Sequence, residues 1–135
     1  MLLVPTELRP SPIHGVGAFL LVPVKKGDLV WRFDRRIDQL FTKDELMNLP
    51  EPAREYVLLR APWDEKTQRF LLGGDNSRYF NHSDNPTTVA ASKDAYSDSV
   101  AARDLKSGEE LTSDYYDEYN NVDLLERMQL RRSKT

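Results

Sequence analysis

Apolar positions along this chain fall in short runs rather than in long helical faces. GAFLLV (17–22) and DLVWRF (28–33) have the length and the Val, Leu, Phe and Trp content of strands, and PVKKG lies between them with Gly27 as a natural turn residue. The same grammar returns at SVAARDL (99–105) and ELTSDYY (110–116), which flank KSGE. VKKGDLV and LKSGEEL are alike, but shared hairpin chemistry explains two lysine–glycine turns without a duplication. The middle of the chain reads differently. Thr42 and Glu45 have capping-box spacing, Phe41 and Leu46 occupy the positions of a hydrophobic staple, and a short helix is predicted from there to just before Pro50. PAREYVLLR (52–60) predicts a second short helix, with Pro52 suited to its first turn. SRYFNHSDNP (77–86) reads as a strand running into a turn, because Asn, Ser, Asp and Pro punctuate the backbone. Near the end, Asn121 can cap VDLLERMQL, in which Leu124, Leu125 and Met128 share a face, so a helix is expected at about 121–130. The pattern predicts one mainly β domain over 1–135 with a small helical insert.

Composition narrows the function classes. The chain has 135 residues and no cysteine, which removes disulfides and thiolate zinc sites. Its two histidines lack ligand spacing, so no metal is expected. Acidic residues number 22 against 19 basic ones, and the one basic cluster is Arg131, Arg132 and Lys134, so direct nucleic-acid binding is not expected. No apolar run has membrane-spanning length and the N-terminus lacks a signal-peptide pattern. The expectation is a soluble, intracellular protein, cytoplasmic rather than nuclear.

Four motifs occur in a telling order: HGVGAFL (14–20), SRYFNHSDNPT (77–87), AARDLKSGEEL (101–111) and EELTSDYYD (109–117). Together they resemble the Gly-x-Gly loop, the Arg-Phe-x-Asn-His-Ser signature, the strand and turn that follow it, and the Glu-Leu-x-x-x-Tyr segment of SET-domain protein lysine methyltransferases. The likeness covers about residues 12–119. It implies a β-clip type fold with a C-terminal pseudoknot and S-adenosylmethionine as cofactor. It also implies a protein or peptide lysine as the methyl acceptor.

By that resemblance, Asn81 and His82 sit beside the adenine of the cofactor. His14, Gly15 and Val16 meet its methionine part through backbone atoms, and Gly17 completes the loop. Glycine suits such a loop because main chain can approach closely there. Tyr56 is the nearest match to a cofactor-touching tyrosine of the insert, although core packing would explain it equally well. Tyr115 matches the active-site tyrosine, whose hydroxyl orients the reacting methyl and amine; a polar tip on a rigid ring suits that task. Tyr96, Tyr116 and Tyr119 are candidate walls of the lysine channel, and Asp98, Asp117 and Glu118 could attract a basic peptide.

Methyl transfer to lysine needs a neutral amine, whereas a free lysine has a pKa of about 10.4. Burial and the positive sulfur of the cofactor both lower that value, so no strong protein base is required. Alignment of nitrogen and methyl carbon is the larger task. Departures from the family pattern are Asp84 in place of Cys, Thr87 in place of Asn, Ser113 two residues before the tyrosine, and the lack of a cysteine-rich zinc segment. A non-catalytic module that keeps the fold and binds the cofactor or a peptide is the alternative. A hydrolase built on His82 and Ser83 is disfavoured, since adjacent side chains on extended backbone point to opposite sides.

Overall fold

The computed structural model describes residues 1–115. Within them, ten short strands form three sheets. β1 (Thr6–Pro10), β2 (Val16–Leu20), β10 (Glu110–Ser113) and β7 (Asn81–His82) make a four-stranded sheet in the order β1-β2-β10-β7. β3 (Leu29–Trp31), β9 (Ser99–Ala101) and β8 (Thr88–Ala90) make a second, in the order β3-β9-β8. The third contains β4 (Gln39–Phe41), β6 (Arg69–Leu72) and β5 (Trp63–Asp64), in the order β4-β6-β5.

The two lysine–glycine turns do not close hairpins. β2 pairs with β10 rather than with β3, through Glu110↔Phe19 and Leu111↔Ala18, and β3 pairs with β9 through Leu29↔Val100. The segments VKKGDLV and LKSGEEL instead pair with each other, joined at the bridge Val24↔Leu105. Their backbone bonds correspond one to one. Gly27 N–H donates to Ala101 O (2.8 Å) and Gly108 N–H to Leu20 O (2.7 Å); Asp28 N–H donates to Lys25 O and Glu109 N–H to Lys106 O. Gly27 and Gly108 have φ of 86° and 90°, a conformation that favours glycine. The likeness read in the sequence is thus a local two-fold arrangement that carries the chain from one sheet to another at both places. Leu20, Val24, Val30, Ala101, Leu105 and Leu111 are buried around it as one core cluster.

The helical insert forms as its sequence predicts. Helix α1 (Lys43–Met47) starts at a capping box in which Thr42 Oγ1 accepts from Glu45 N–H (3.0 Å) and Glu45 Oε1 accepts from Thr42 N–H (2.9 Å). Helix α2 (Glu51–Arg60) has Pro52 in its first turn. Leu46, Val57, Leu58, Ala61, Trp63, Phe70 and Leu72 form a second core cluster, and Phe41 packs against it as the staple requires.

SRYFNHSDNP departs from its predicted strand. Asn76–Tyr79 is a 3₁₀ helix capped by Asp75, whose side chain accepts from Ser77 N–H (3.0 Å), and the strand that follows is only Asn81–His82. β7 lies parallel to β10, with Thr112↔Asn81 and Ser113↔His82 in register. Thr87, where the family pattern has Asn, exchanges two bonds with Thr112: Thr87 N–H donates to Thr112 Oγ1 (3.0 Å) and Thr112 N–H to Thr87 Oγ1 (2.8 Å). β10 is therefore gripped on more than one side, and that grip fixes the residues preceding Tyr115. The expected pseudoknot threading and the helix at about 121–130 lie outside the described residues. Among those residues, no helix is long and apolar enough to cross a membrane.

Candidate active site

β7 is two residues long and distributes its side chains to opposite faces. Asn81 is buried and turns towards the glycine loop. Its Nδ2 donates to His14 O (3.1 Å), Val16 O (3.3 Å) and Glu110 Oε2 (2.8 Å). His82 turns towards Tyr115. Its Nδ1 accepts from Tyr115 N–H (3.2 Å), its Nε2 lies 2.9 Å from Asp84 Oδ1, and the two rings are 5.4 Å apart. The Tyr115 N–H can only donate, which makes Nδ1 an acceptor and leaves Nε2 to donate to Asp84, the exposed residue in place of the family's Cys. Ser83 Oγ accepts from Asn85 N–H (3.1 Å), and His82 is bonded elsewhere, which removes the geometric basis for a His–Ser hydrolase.

The glycine loop owes its shape to two different constraints. Gly15 has φ of 46°, and a Cβ placed on it would meet nothing within 4 Å among the described residues, so conformation is what it supplies while its outer face stays open. Gly17 is buried, and its Cβ would come within 2.4 Å of Glu110 Oε2. The close approach expected of a cofactor at Gly17 is made by the protein's own carboxylate. Glu110, on the strand that leads to Tyr115, was visible in the sequence only as part of Glu-Leu-Thr; its bonds to Asn81 and Ser11 come from tertiary structure.

A cleft opens beside Tyr115. Its walls include Trp31, Leu59, Arg60, Ser77, Arg78, Phe80, Ser99, Ser113 and Tyr115. The Tyr115 hydroxyl donates to Phe80 O. Ser113 is fully buried at the wall, so a small hydroxyl stands two residues before the tyrosine. Trp31 Nε1 and Arg60 Nε are buried and have no hydrogen-bond partner among the described residues. Arg78 spans the wall, donating from Nε to Gly73 O (2.7 Å) and from Nη1 to Tyr56 Oη (2.9 Å).

Tyr56 is exposed at 36%, which excludes the core-packing reading, and its ring lies under the Arg78 guanidinium at 5.6 Å. Burial acts to raise its pKa, but the hydrogen bonds from Arg78 and with Tyr79, with the charges of Arg78 and Arg60, leave the phenol below its ordinary value. Tyr79, hydrogen-bonded to Tyr56, is shifted the other way, and its ring lies 4.6 Å from the Arg60 guanidinium. Two phenols thus pack against the two arginines that line this side of the cleft.

The structure brings Asn81, Glu110, His14, Gly15, Val16 and Gly17 together at one end of β7, and His82 with Tyr115 at its other face. None of the predicted cofactor residues His14, Gly15, Val16, Gly17, Tyr56, Asn81 and His82 is among those lining the cleft; His82 meets it only through its contact with Tyr115. Tyr96, a candidate channel wall, does not line the cleft either: it has φ of 52°, stacks on Phe33 at 4.9 Å and hydrogen-bonds Thr67. Asp98 is paired with Arg32 at 3.0 Å. Tyr116, Tyr119, Asp117 and Glu118 lie outside the described residues.

Comparison with known proteins places this geometry. No curated protein matches the chain. Among solved structures it is similar to a candidate histone methyltransferase of Plasmodium falciparum, with 18% identity over 82% of this chain and 91% of that one and a TM-score of 0.58. It is also similar to a humanized mutant of the Chaetomium thermophilum Polycomb Repressive Complex 2 bound to an inhibitor, with 22% identity, 88% and 16% coverage and a TM-score of 0.63. An autoinhibited form of ctPRC2 bound to S-adenosylmethionine gives 20% identity, 97% and 17% coverage and a TM-score of 0.64. The chain spans about a sixth of those larger Polycomb chains. At such identities these likenesses establish the fold, mainly β with few helices. The SET domain model matches residues 15–116, three quarters of the sequence, and the chain therefore belongs to the SET domain family.

Proposed function

We propose that this protein transfers a methyl group from S-adenosylmethionine to the side-chain amine of a lysine in a protein or peptide. The observation that carries the reading is Tyr115: a phenol whose backbone is held by His82, whose hydroxyl meets the Phe80 carbonyl, and which opens onto a cleft that Arg60 and Arg78 also line. The cofactor fits the residues present. It offers a carboxylate and several ring nitrogens as acceptors, and the cationic side chain of Arg60 lines the cleft. Arg78 adds a second guanidinium. The open face of Gly15 and the backbone of His14 and Val16 border the other side of β7, where Asn81 fixes the loop, and Tyr56 stands at the rim beside Arg78.

When bound, the cofactor supplies an electrophilic methyl on a sulfonium. The chain's own contribution is orientation. An amine beside Tyr115 would find two oxygens fixed in place, the Phe80 carbonyl and the phenol, which accept its N–H bonds and aim its lone pair. The buried Trp31 beside the cleft lowers the local dielectric, which disfavours the ammonium form. The buried Ser113 leaves more room beside the amine than an aromatic would, which is compatible with more than one methylation. That a relative is described as a histone methyltransferase, and another is held with S-adenosylmethionine, supports the same reading.

Incubation with methyl-labelled S-adenosylmethionine and a mixture of basic proteins tests it. Label recovered as methyllysine is the expected result. Measurable cofactor binding without transfer would instead favour a non-catalytic SET-fold module. Asn81→Ala removes the amide that holds His14, Val16 and Glu110, and the cofactor dissociation constant is expected to rise about tenfold, as calorimetry would read.

A further inference from the structure

Ser11, Glu110 and Asn81 form a closed set of polar contacts that the motif reading leaves without a role. Ser11 Oγ donates to Glu110 (2.8 Å to Oε1, 3.0 Å to Oε2) and accepts from Ile13 N–H (3.0 Å) and His14 N–H (3.4 Å). Ser11 N–H donates to Gly15 O (2.7 Å). Glu110 Oε2 also accepts from Asn81 Nδ2 (2.8 Å) and occupies the space that a side chain at Gly17 would need. One carboxylate thus orients the serine that closes the loop from within, orients the amide that holds it from without, and fills its glycine. A carboxylate suits all three tasks, because it is acceptor-only and can serve two donors from two oxygens.

We infer that Glu110 is a positioning residue that, acting with Ser11, sets the conformation of loop 11–17 and thereby the affinity for the cofactor. The part about affinity rests on the function proposed above; the part about the loop does not. Glu110 lies three positions along β10 from Ser113 and is not among the residues that line the cleft, so its effect should fall on cofactor affinity rather than on the chemical step.

The experiment has two arms. In the free protein, amide exchange at Ile13 and His14 is expected to accelerate about tenfold in Ser11→Ala, which removes the oxygen that accepts both N–H groups, and by a smaller factor in Glu110→Ala, relative to amides of β2. With cofactor, Glu110→Ala should raise the cofactor KM about tenfold or more and leave kcat at saturation within about threefold. Glu110→Gln keeps an acceptor oxygen for Asn81 and should recover most of that loss. Ser11→Ala, which removes a single hydroxyl, keeps the test decisive if Glu110→Ala fails to fold. Unchanged loop exchange in a folded Glu110→Ala or Ser11→Ala protein would overturn the inference. So would faster exchange with an unmoved KM, or a loss confined to kcat. A wild-type protein that binds no cofactor would sink the proposed function instead, and the exchange arm alone would then decide the role of Glu110.

Discussion

Replacing Tyr115 by phenylalanine is expected to lower kcat by about a hundredfold or more and to move the cofactor dissociation constant by less than about threefold. The asymmetry follows from what the substitution leaves behind. Tyr115 is held through its backbone, since His82 Nδ1 accepts its N–H, and through its ring, 5.4 Å from the His82 ring. Phenylalanine keeps both contacts. The hydroxyl alone is lost, and with it one hydrogen bond to Phe80 O, which costs about 1 kcal/mol of stability. A protein of this size then melts a few degrees lower and remains folded at assay temperature. Catalysis loses more, because the hydroxyl is one of two oxygens that orient an incoming amine in the proposed mechanism. Single-turnover rates with saturating labelled cofactor, beside calorimetric binding, separate the two effects. A Tyr115→Phe variant that transferred methyl at the wild-type rate would take the phenol out of the mechanism and leave the cleft without an assigned orienting group.

How far the sequence exposed this site depends on the range over which each feature is encoded. The α1 cap was legible because Thr42 and Glu45 satisfy each other's backbone within four residues. The family was legible through an ordered set of motifs, and the SET domain model matches residues 15–116. Strand partners were not. Lys-Lys-Gly and Lys-Ser-Gly specify a turn, but nothing within either turn says that β2 will seek β10 and β3 will seek β9. The choice is made by burial of Leu20, Val30, Ala101 and Leu111 in one cluster, a contact between segments roughly eighty residues apart. β1, β4, β5, β6 and β8 were missed for another reason. Strands of two to five residues carry too little alternation to stand out, and β1, β5 and β6 also contain Pro or charged residues. The same holds for the 3₁₀ turn at Asn76–Tyr79, which needs Asp75 as its cap and Gly73 as its anchor for Arg78. Glu110 shows the limit most clearly: its neighbours come from residues 11, 17 and 81, and no local pattern announces them.

The glycine with the largest structural consequence is one that no motif singles out. Gly74→Ala is expected to destabilise the protein by about 3 kcal/mol or more, a fall of roughly 10 °C or more in melting temperature. A Cβ there would lie 1.7 Å from Ile37 O and 2.6 Å from Ile37 C. Both are backbone atoms of a turn that is itself fixed, with Ile37 N–H and Asp38 N–H donating to Asp34 O and the buried Asp38 side chain accepting from Gly74 N–H (3.2 Å) and Asp34 N–H (3.0 Å). The obstruction cannot be relieved by a rotamer change; either the 34–38 turn or the segment leading into the 3₁₀ helix must move. That second segment carries Ser77, Arg78 and Phe80, so residual folded protein should also show weakened cofactor binding. Gly15→Ala provides the contrast. Its φ of 46° disfavours alanine, but nothing described lies within 4 Å of the added methyl, so the cost should be only about 1 kcal/mol. Thermal melts of the two variants side by side decide the matter. If Gly74→Ala melted within a few degrees of the wild type, the packing of residues 34–38 against the 73–75 segment would not be the rigid support for the cleft that the distances imply.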